Sequence, residues 1–408
     1  MRVLFAVSPW PGHYFPMVPL GWALQAAGHE VRVLCNESDV DPVARAGMTP
    51  VPRLASLDLL RGARLINLLT ALRGGWPYPE PPLHPDTAEP VDFATFDFAA
   101  WHEKLRPEML ANATRSTDAA VAFAREWRPQ LVVHDMESLE GPLVAKMTGA
   151  PDVLQLWGPF GTADDYGEAP DGHAPVDTSA AFERYGLGEM GFHHIDHVLD
   201  PCPPQLRPSY EAAAVPSRYI PYNGPGSVPG DIPPCGGKPR VCVVWGRSAT
   251  RTFGPVVNKM SQVVQAANAA GAEVLLLSSP ADAAAAGPLP DGVIVRSDVP
   301  LSLVLPECAA VAHYGGGGVS MTSLVAGVPQ LALPCGYDQP VMAGRFSAAG
   351  AGLDIPNHAA EVDGLKAAFG RLLEESSFTE SARELAAAAA SLPAPSDVVG
   401  KLEALARD

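Results

Sequence analysis

The sequence predicts an α/β protein made of two parallel-sheet domains, and three observations carry that prediction. Short apolar runs alternate with segments of helical spacing. The alternation stops in a proline-rich stretch and then restarts. The chain, at 408 residues, is also longer than one ordinary core organises.

Taken in order, Val3 to Val7 is a strand, Ser8 to Pro16 has loop chemistry, and Met17 to Gly28 carries helical spacing through Val18, Leu20, Trp22 and Leu24. Glu30 to Cys35 is apolar again, completing a β-α-β unit. A second unit runs from Gln130-Leu131-Val132-Val133-His134 through a helical stretch ending at Gly149 to Asp152–Trp157. From 201 to 239 prolines are too frequent for a regular element, and the interdomain linker is placed here, at 216–238. The strand pattern resumes at Arg240–Trp245, Glu273–Ser278, Gly292–Arg296, Val311–His313 and Gln330–Pro334, with a helix expected from about Pro255 to Ala270. This divides the chain into a first domain (1–215), the linker, a second domain (239–390) and a last helix (391–408) that could pack on either domain.

Composition excludes several function classes. The charged fraction is 18% and the hydrophobic fraction 47%, the balance of a packed chain rather than a disordered one. A formal net charge of -17 repels nucleic acid and anionic membranes over most of the surface, so neither is expected as a partner. Cys35, Cys202, Cys235, Cys242, Cys308 and Cys335 are scattered without a Cys-x-x-Cys pair, as in a cytoplasmic enzyme with reduced thiols. No apolar run reaches membrane-spanning length, and the short apolar opening is broken by Ser8-Pro9-Trp10-Pro11-Gly12, so neither a signal peptide nor an anchor is expected.

Four consecutive glycines, Gly315 to Gly318, stand where the strand-like Ala309–His313 hands over to a helix-like segment. Ligands of parallel sheets bind at such carboxyl ends, and amides at a helix N-terminus suit a phosphate. A tight turn without a ligand would use the same residues. Two common phosphate motifs are missing: there is no G-x-x-x-x-G-K-[ST], and no G-x-G-x-x-G follows the first strand.

Read together with the residues after it, "HYGGGGVSMTSLVAGVPQLALPCGYDQP" (313–340) resembles the donor signature of the inverting GT-B glycosyltransferases that decorate natural products. The matching pieces are Gly315 to Gly318, Gly327-Val328-Pro329-Gln330, Pro334 and Asp338-Gln339. The opening 31 residues, with Gly12-His13 after the first strand, and "VRSDVPLSLVLPECAAVAHYGG" (295–316) are similar to further parts of that family. The resemblance implies a GT-B fold, two Rossmann-like domains facing a cleft. It places backbone near Val299 at the nucleotide base, His313 to Gly318 at the diphosphate, and Asp338 and Gln339 at the sugar hydroxyls. Two departures stand out: Tyr314 occupies the place of a second histidine, and Val319 that of a Ser or Thr, with Ser320 one step later. The loop Gly246-Arg247-Ser248 then joins the expected diphosphate site. Segments at about 58–97 and 160–202 match nothing in the family, whose members shape the acceptor pocket there.

Inverting sugar transfer needs a base for the acceptor's proton and a group that stabilises the departing diphosphate. His13 follows the first strand, and imidazole titrates near pH ~6.5. Asp135 follows Leu131–His134 at another carboxyl end, so both can face one crevice. By themselves, a loop histidine and an aspartate before a helix also suit a surface residue and an N-cap. The resemblance makes His13 the general base and Asp135 its orienting partner. It further implies a TDP-sugar donor, a small-molecule secondary-metabolite acceptor and no cofactor or metal, with a homodimer or an auxiliary activator protein as options.

Asp39-Val40-Asp41 spells the D-x-D of metal-dependent glycosyltransferases of another fold, and reads here as a solvated loop. His193, His194 and His197, with Asp196, have near-helical spacing but imply no fourth zinc ligand. No G-x-S-x-G occurs, so a serine hydrolase has no nucleophile. Two rival readings are a nucleotide-sugar epimerase, which would need acid/base carboxylates in the cleft, and a non-catalytic homologue that binds nucleotide sugar or activates a partner transferase.

Overall fold

The computed structural model describes residues 1–55, 58–164, 176–227, 230 and 232–407. Its first sheet comprises β1 (Arg2–Ala6), β2 (Glu30–Asn36), β3 (Thr49–Leu54), β4 (Leu131–His134), β5 (Asp152–Gln155), β6 (His197–Asp200) and β7 (Ala213–Pro216), in the order β3-β2-β1-β4-β5-β6-β7. The second comprises β8 (Arg240–Val244), β9 (Glu273–Leu277), β10 (Ile294–Arg296), β11 (Ala310–His313), β12 (Gln330–Ala332) and β13 (Gly352–Asp354), in the order β10-β9-β8-β11-β12-β13. Every pairing in both sheets is parallel. Central strands buried on both faces explain the near-continuous apolar runs: Val3 to Ala6 and Val241 to Val243 are fully buried. Strand order reverses between β1 and β4 in the first sheet and between β8 and β11 in the second, which opens a crevice at each carboxyl edge. This is the two-domain architecture of the GT-B fold.

Local structure departs from the sequence expectations at several points. Pro11 to Tyr14 is a short helix rather than loop, because Pro11 at its first position has φ preset for a helical turn; Phe15–Met17 and the helix Val18–Ala26 continue it. The proline-rich stretch does contain a strand, β7, which pairs with β6 at the sheet edge, where proline is tolerated. The helix expected over 255–270 is broken, with a 3-10 turn at Pro255–Val257 before Met260–Ala269, and Asn258 Oδ1 accepting from the Met260 amide between them. Gly246-Arg247-Ser248 is likewise no loop; the helix Arg247–Phe253 begins there.

The two halves are joined by more than the connecting chain. The last helix, Pro395–Leu405, inserts Val398, Val399 and Leu402 into the core of the first half beside Leu20 and Leu24. Arg345 makes a bidentate ion pair with Asp164 (2.6 and 2.7 Å) and donates to the Pro159 carbonyl. Across the cleft, the helix Leu59–Leu72 sends Arg64 to the Arg251 carbonyl (2.8 Å) and Asn67 to the Thr252 carbonyl (3.1 Å). No helix among the described residues is long and apolar enough to cross a membrane.

Candidate active site

The carboxyl edges of the two sheets enclose a cavity of about 530 Å³, lined from one side by Ser8, His13 and Glu137 and from the other by Tyr314, Gly317 and Asp338. Each of these residues stands just beyond a strand, after β1, β4, β11 or β12. The expected acceptor-side segments also reach the cavity: Leu59 and Ile66 come from the first, and Phe160 and Val176 from the second. Residues 165–175 of that second segment lie outside the described residues.

His13 sits half-buried on the Pro11–Tyr14 helix. Its Nδ1 lies 3.0 Å from Ser8 Oγ. Asp135 is fully buried one residue beyond β4, and its Oδ2 accepts the Ser8 amide at 2.6 Å while Oδ1 accepts the Glu137 amide at 2.9 Å. His13 and Asp135 are therefore brought together with Ser8 between them. Asp135 does not cap the next helix, Glu140–Thr148; Ser138 Oγ accepts the Gly141 amide there instead. Burial pushes the Asp135 carboxyl up to about 6, against hydrogen bonds from the Ser8 and Glu137 amides that favour its charged form.

Trp157 and Glu137 also belong to this wall, and sequence reasoning singled out neither. The Trp157 indole stacks on His13 with ring centroids 4.1 Å apart and planes 9° apart. Its Nε1 donates to Asp338 Oδ2 at 3.0 Å, across the boundary between the halves. Glu137 lines the cavity with its carboxyl pushed up to about 8, first by burial and then by the charges of Asp135 and Asp338.

The glycine turn shows why side chains are absent. Gly315 has φ +91, a left-handed conformation, and its amide donates to His313 Nδ1 (2.9 Å). A Cβ on Gly317 would lie 2.9 Å from Trp157 Cδ1. The helix Gly317–Ala326 has Gly316 as its N-cap with no side-chain cap, so its first amides face the cavity without a side-chain acceptor. His313 is wholly buried, which pushes its pKa down to about 4 and keeps the ring neutral. With Nδ1 accepting from Gly315, its Nε2–H donates to Gln330 Oε1 (3.0 Å), so His313 braces the turn and does not line the cavity.

The other expected donor residues divide in the same way. Tyr314, Gly316, Gly317, Gly318, Ser248, Asp338 and Gln339 line the cavity. The Tyr314 hydroxyl is hydrogen-bonded to Ser248 Oγ at 2.8 Å. Gln339 Oε1 accepts the Cys335 and Gly336 amides, bracing the loop that presents Asp338. Ser320 is buried and donates to the Gly316 carbonyl (3.0 Å), one helical turn back. Val299 is half-buried among Leu301, Val304 and Leu305. Gly246 packs against the Tyr314 ring. Only the backbone of Arg247 is described, as the first residue of its helix.

The D-x-D residues are not a loop: Asp39 ends a 3-10 turn and Asp41 lies in the first turn of the helix Val40–Arg45, ion-paired with Arg45. The histidines at 193 and 194 lie on a 3-10 turn and His197 on β6, so no single helix carries them. Among the described residues no group of three or more His, Cys, Asp or Glu converges to hold a metal ion.

Comparison with known proteins shows the family and the fold. The family profile "Erythromycin biosynthesis protein CIII-like, N-terminal domain" matches residues 99–246, and its C-terminal counterpart matches 261–405. The chain is 34% identical to the aklavinone 7-beta-L-rhodosaminyltransferase of Streptomyces galilaeus over 99% of its own length and 96% of the relative's. It is 33% identical to the L-demethylnoviosyl transferase of Streptomyces niveus, covering 99% and 98% of the two chains. Among solved structures, the glycosyltransferase VinC in complex with dTDP superposes with a TM-score of 0.74 at 29% identity over the full length of both chains.

Proposed function

The chain belongs to the family of erythromycin biosynthesis protein CIII-like glycosyltransferases, and from that premise we propose that it moves a deoxysugar from a TDP-sugar to a hydroxyl of a polyketide, macrolide or enediyne-like acceptor, with inversion at C1. One observation carries the reading: Ser8 and His13 line the same cavity as the glycine turn, and the buried Asp135 stands behind them, holding the Ser8 amide. His13 Nε2 takes the acceptor's proton while Nδ1–H donates to Ser8 Oγ. Asp135 accepts the Ser8 amide and also interacts with the Ser8 side chain, so its charge lies one residue behind the ring and stabilises the imidazolium from there. The amides that open the helix Gly317–Ala326 receive the departing diphosphate, favoured by the positive end of the helix dipole. Asp338 and Gln339 hold the sugar hydroxyls. The first half then serves the acceptor and the second the nucleotide, and the chemistry runs without a metal ion.

Support for the nucleotide comes from VinC, solved with dTDP, and support for the acceptor class from the aklavinone 7-beta-L-rhodosaminyltransferase. The test is calorimetric titration with TDP, UDP and NAD, followed by turnover of TDP-linked deoxysugars, TDP-rhamnose among them, against a panel of polyketide and macrolide acceptors with and without EDTA. The reading expects TDP to bind over UDP, NAD not to bind, and EDTA to leave turnover unchanged. Tight TDP binding with no transfer to any acceptor would favour a non-catalytic nucleotide-sugar binder instead.

A further inference from the structure

We propose that Trp157 is a positioning residue that ties the base in one half to the sugar-binding carboxylate in the other. The inference rests on the reading of His13 as base. Trp157 lies two residues beyond β5, and its indole is held on three sides. One face covers the His13 ring at 4.1 Å, the Nε1–H is donated to Asp338 Oδ2 at 3.0 Å, and the Cδ1 edge packs where Gly317 leaves room for it. It is 5% exposed. A tryptophan serves here where a smaller aromatic would not, because one side chain must both stack and donate a hydrogen bond.

Each contact has its own consequence. An imidazole stacked face to face on an indole gains favourable cation–π interaction as it becomes imidazolium, so the indole stabilises the charge that forms on His13 during proton abstraction. The hydrogen bond favours the ionised form of Asp338, the form that accepts from a sugar hydroxyl, against burial, which pushes its carboxyl up. The ring also fixes the distance between base and donor site, because the Asp338 loop and the His13 helix share it as a spacer.

Two variants separate the contacts. Trp157→Phe retains an aromatic face for His13 and loses the N–H; Trp157→Leu loses both. With TDP-rhamnose, a 6-deoxysugar donor, as probe and turnover read as TDP release, Trp157→Phe is expected to raise the donor KM by about 5- to 30-fold while kcat stays within about twofold. Trp157→Leu is expected to lower kcat by a further factor of about 3 to 10 and to move the acid limb of its pH profile to lower pH by about half a unit, since imidazolium loses its π partner. The carboxyls around His13, namely Asp135, Glu137 and Asp338, are unchanged in both variants. The proposal is overturned if folded Trp157→Leu keeps the wild-type kcat, KM and pH limb, or if both variants lose kcat equally along with melting temperature, which is the pattern of a packing role alone. His13→Ala is assayed in parallel: turnover retained there removes the base reading itself, whereas turnover lost there with silent Trp157 variants removes only this inference.

Discussion

The two switch points share a plan and diverge one residue beyond it. In the first half, Ala6 of β1 pairs with His134 of β4; in the second, Val244 of β8 pairs with His313 of β11. Both histidines are buried, both have pKa values pushed down to about 4, and each holds the turn after its strand. His134 Nδ1–H donates to the Asp135 carbonyl, whereas His313 Nδ1 accepts from the Gly315 amide, so the two neutral rings are opposite tautomers. Beyond the first histidine the site is built from a carboxylate, a serine relay and the His13 imidazole; beyond the second it is built from bare backbone. One topology thus presents ionisable side chains on one wall and fixed amide dipoles on the other, the division that the proposed inverting transfer uses.

If the walls divide the labour in this way, damage to each should read out differently. His13→Ala should lower kcat by about 10³-fold, in the range of lost general-base catalysis, as measured by TDP release from TDP-rhamnose. Gly317→Ala should weaken TDP binding by about tenfold or more, because the new Cβ meets Trp157 at 2.9 Å; Gly318→Ala, with its nearest neighbour at 3.6 Å, should cost less than about threefold. Equal effects at the two glycines would break the claim that steric room at Gly317 matters. Ser8→Ala removes the link between His13 and Asp135 while its backbone amide still satisfies Asp135; kcat should fall about tenfold with donor KM unchanged.

The smallest effect concerns stability, and it belongs to the first wall alone. Glu137 keeps its proton in the folded chain up to about pH 8, whereas the unfolded chain releases it near the ordinary value of 4.5. Between those values the folded state binds more protons, so this group's contribution to stability falls as pH rises. Glu137→Gln should match wild type below pH 4.5 and gain about 2–4 °C in Tm as pH rises toward 8, readable in parallel thermal melts. A constant difference across that range would mean that Glu137 is not held protonated.

Much of this plan was legible in the chain. Apolar runs long enough only for strands, each followed by helical spacing, mark the β-α-β order. Gly315 and Asp338-Gln339 are separated only by local segments, so a linear motif captures them. His13 and Asp135 were legible as candidates because each comes just after a strand. Ser8 as an intermediary, Trp157 as a bridge and Glu137 as a protonated wall were not, since they depend on β1, β4 and β5 lying side by side and on the second half closing over them. Strand β7 was hidden by prolines that an edge strand tolerates. The break at Asn258 was hidden because its side-chain cap competes locally with a helix that spacing alone would continue.

With proton chemistry on one wall and nucleotide binding on the other, calorimetric titration of His13→Ala with TDP separates the two. The dissociation constant should stay within about twofold of wild type, since no step of diphosphate binding uses the imidazole. Loss of TDP binding in a folded His13→Ala protein would contradict that division, because His13 would then belong to the donor site.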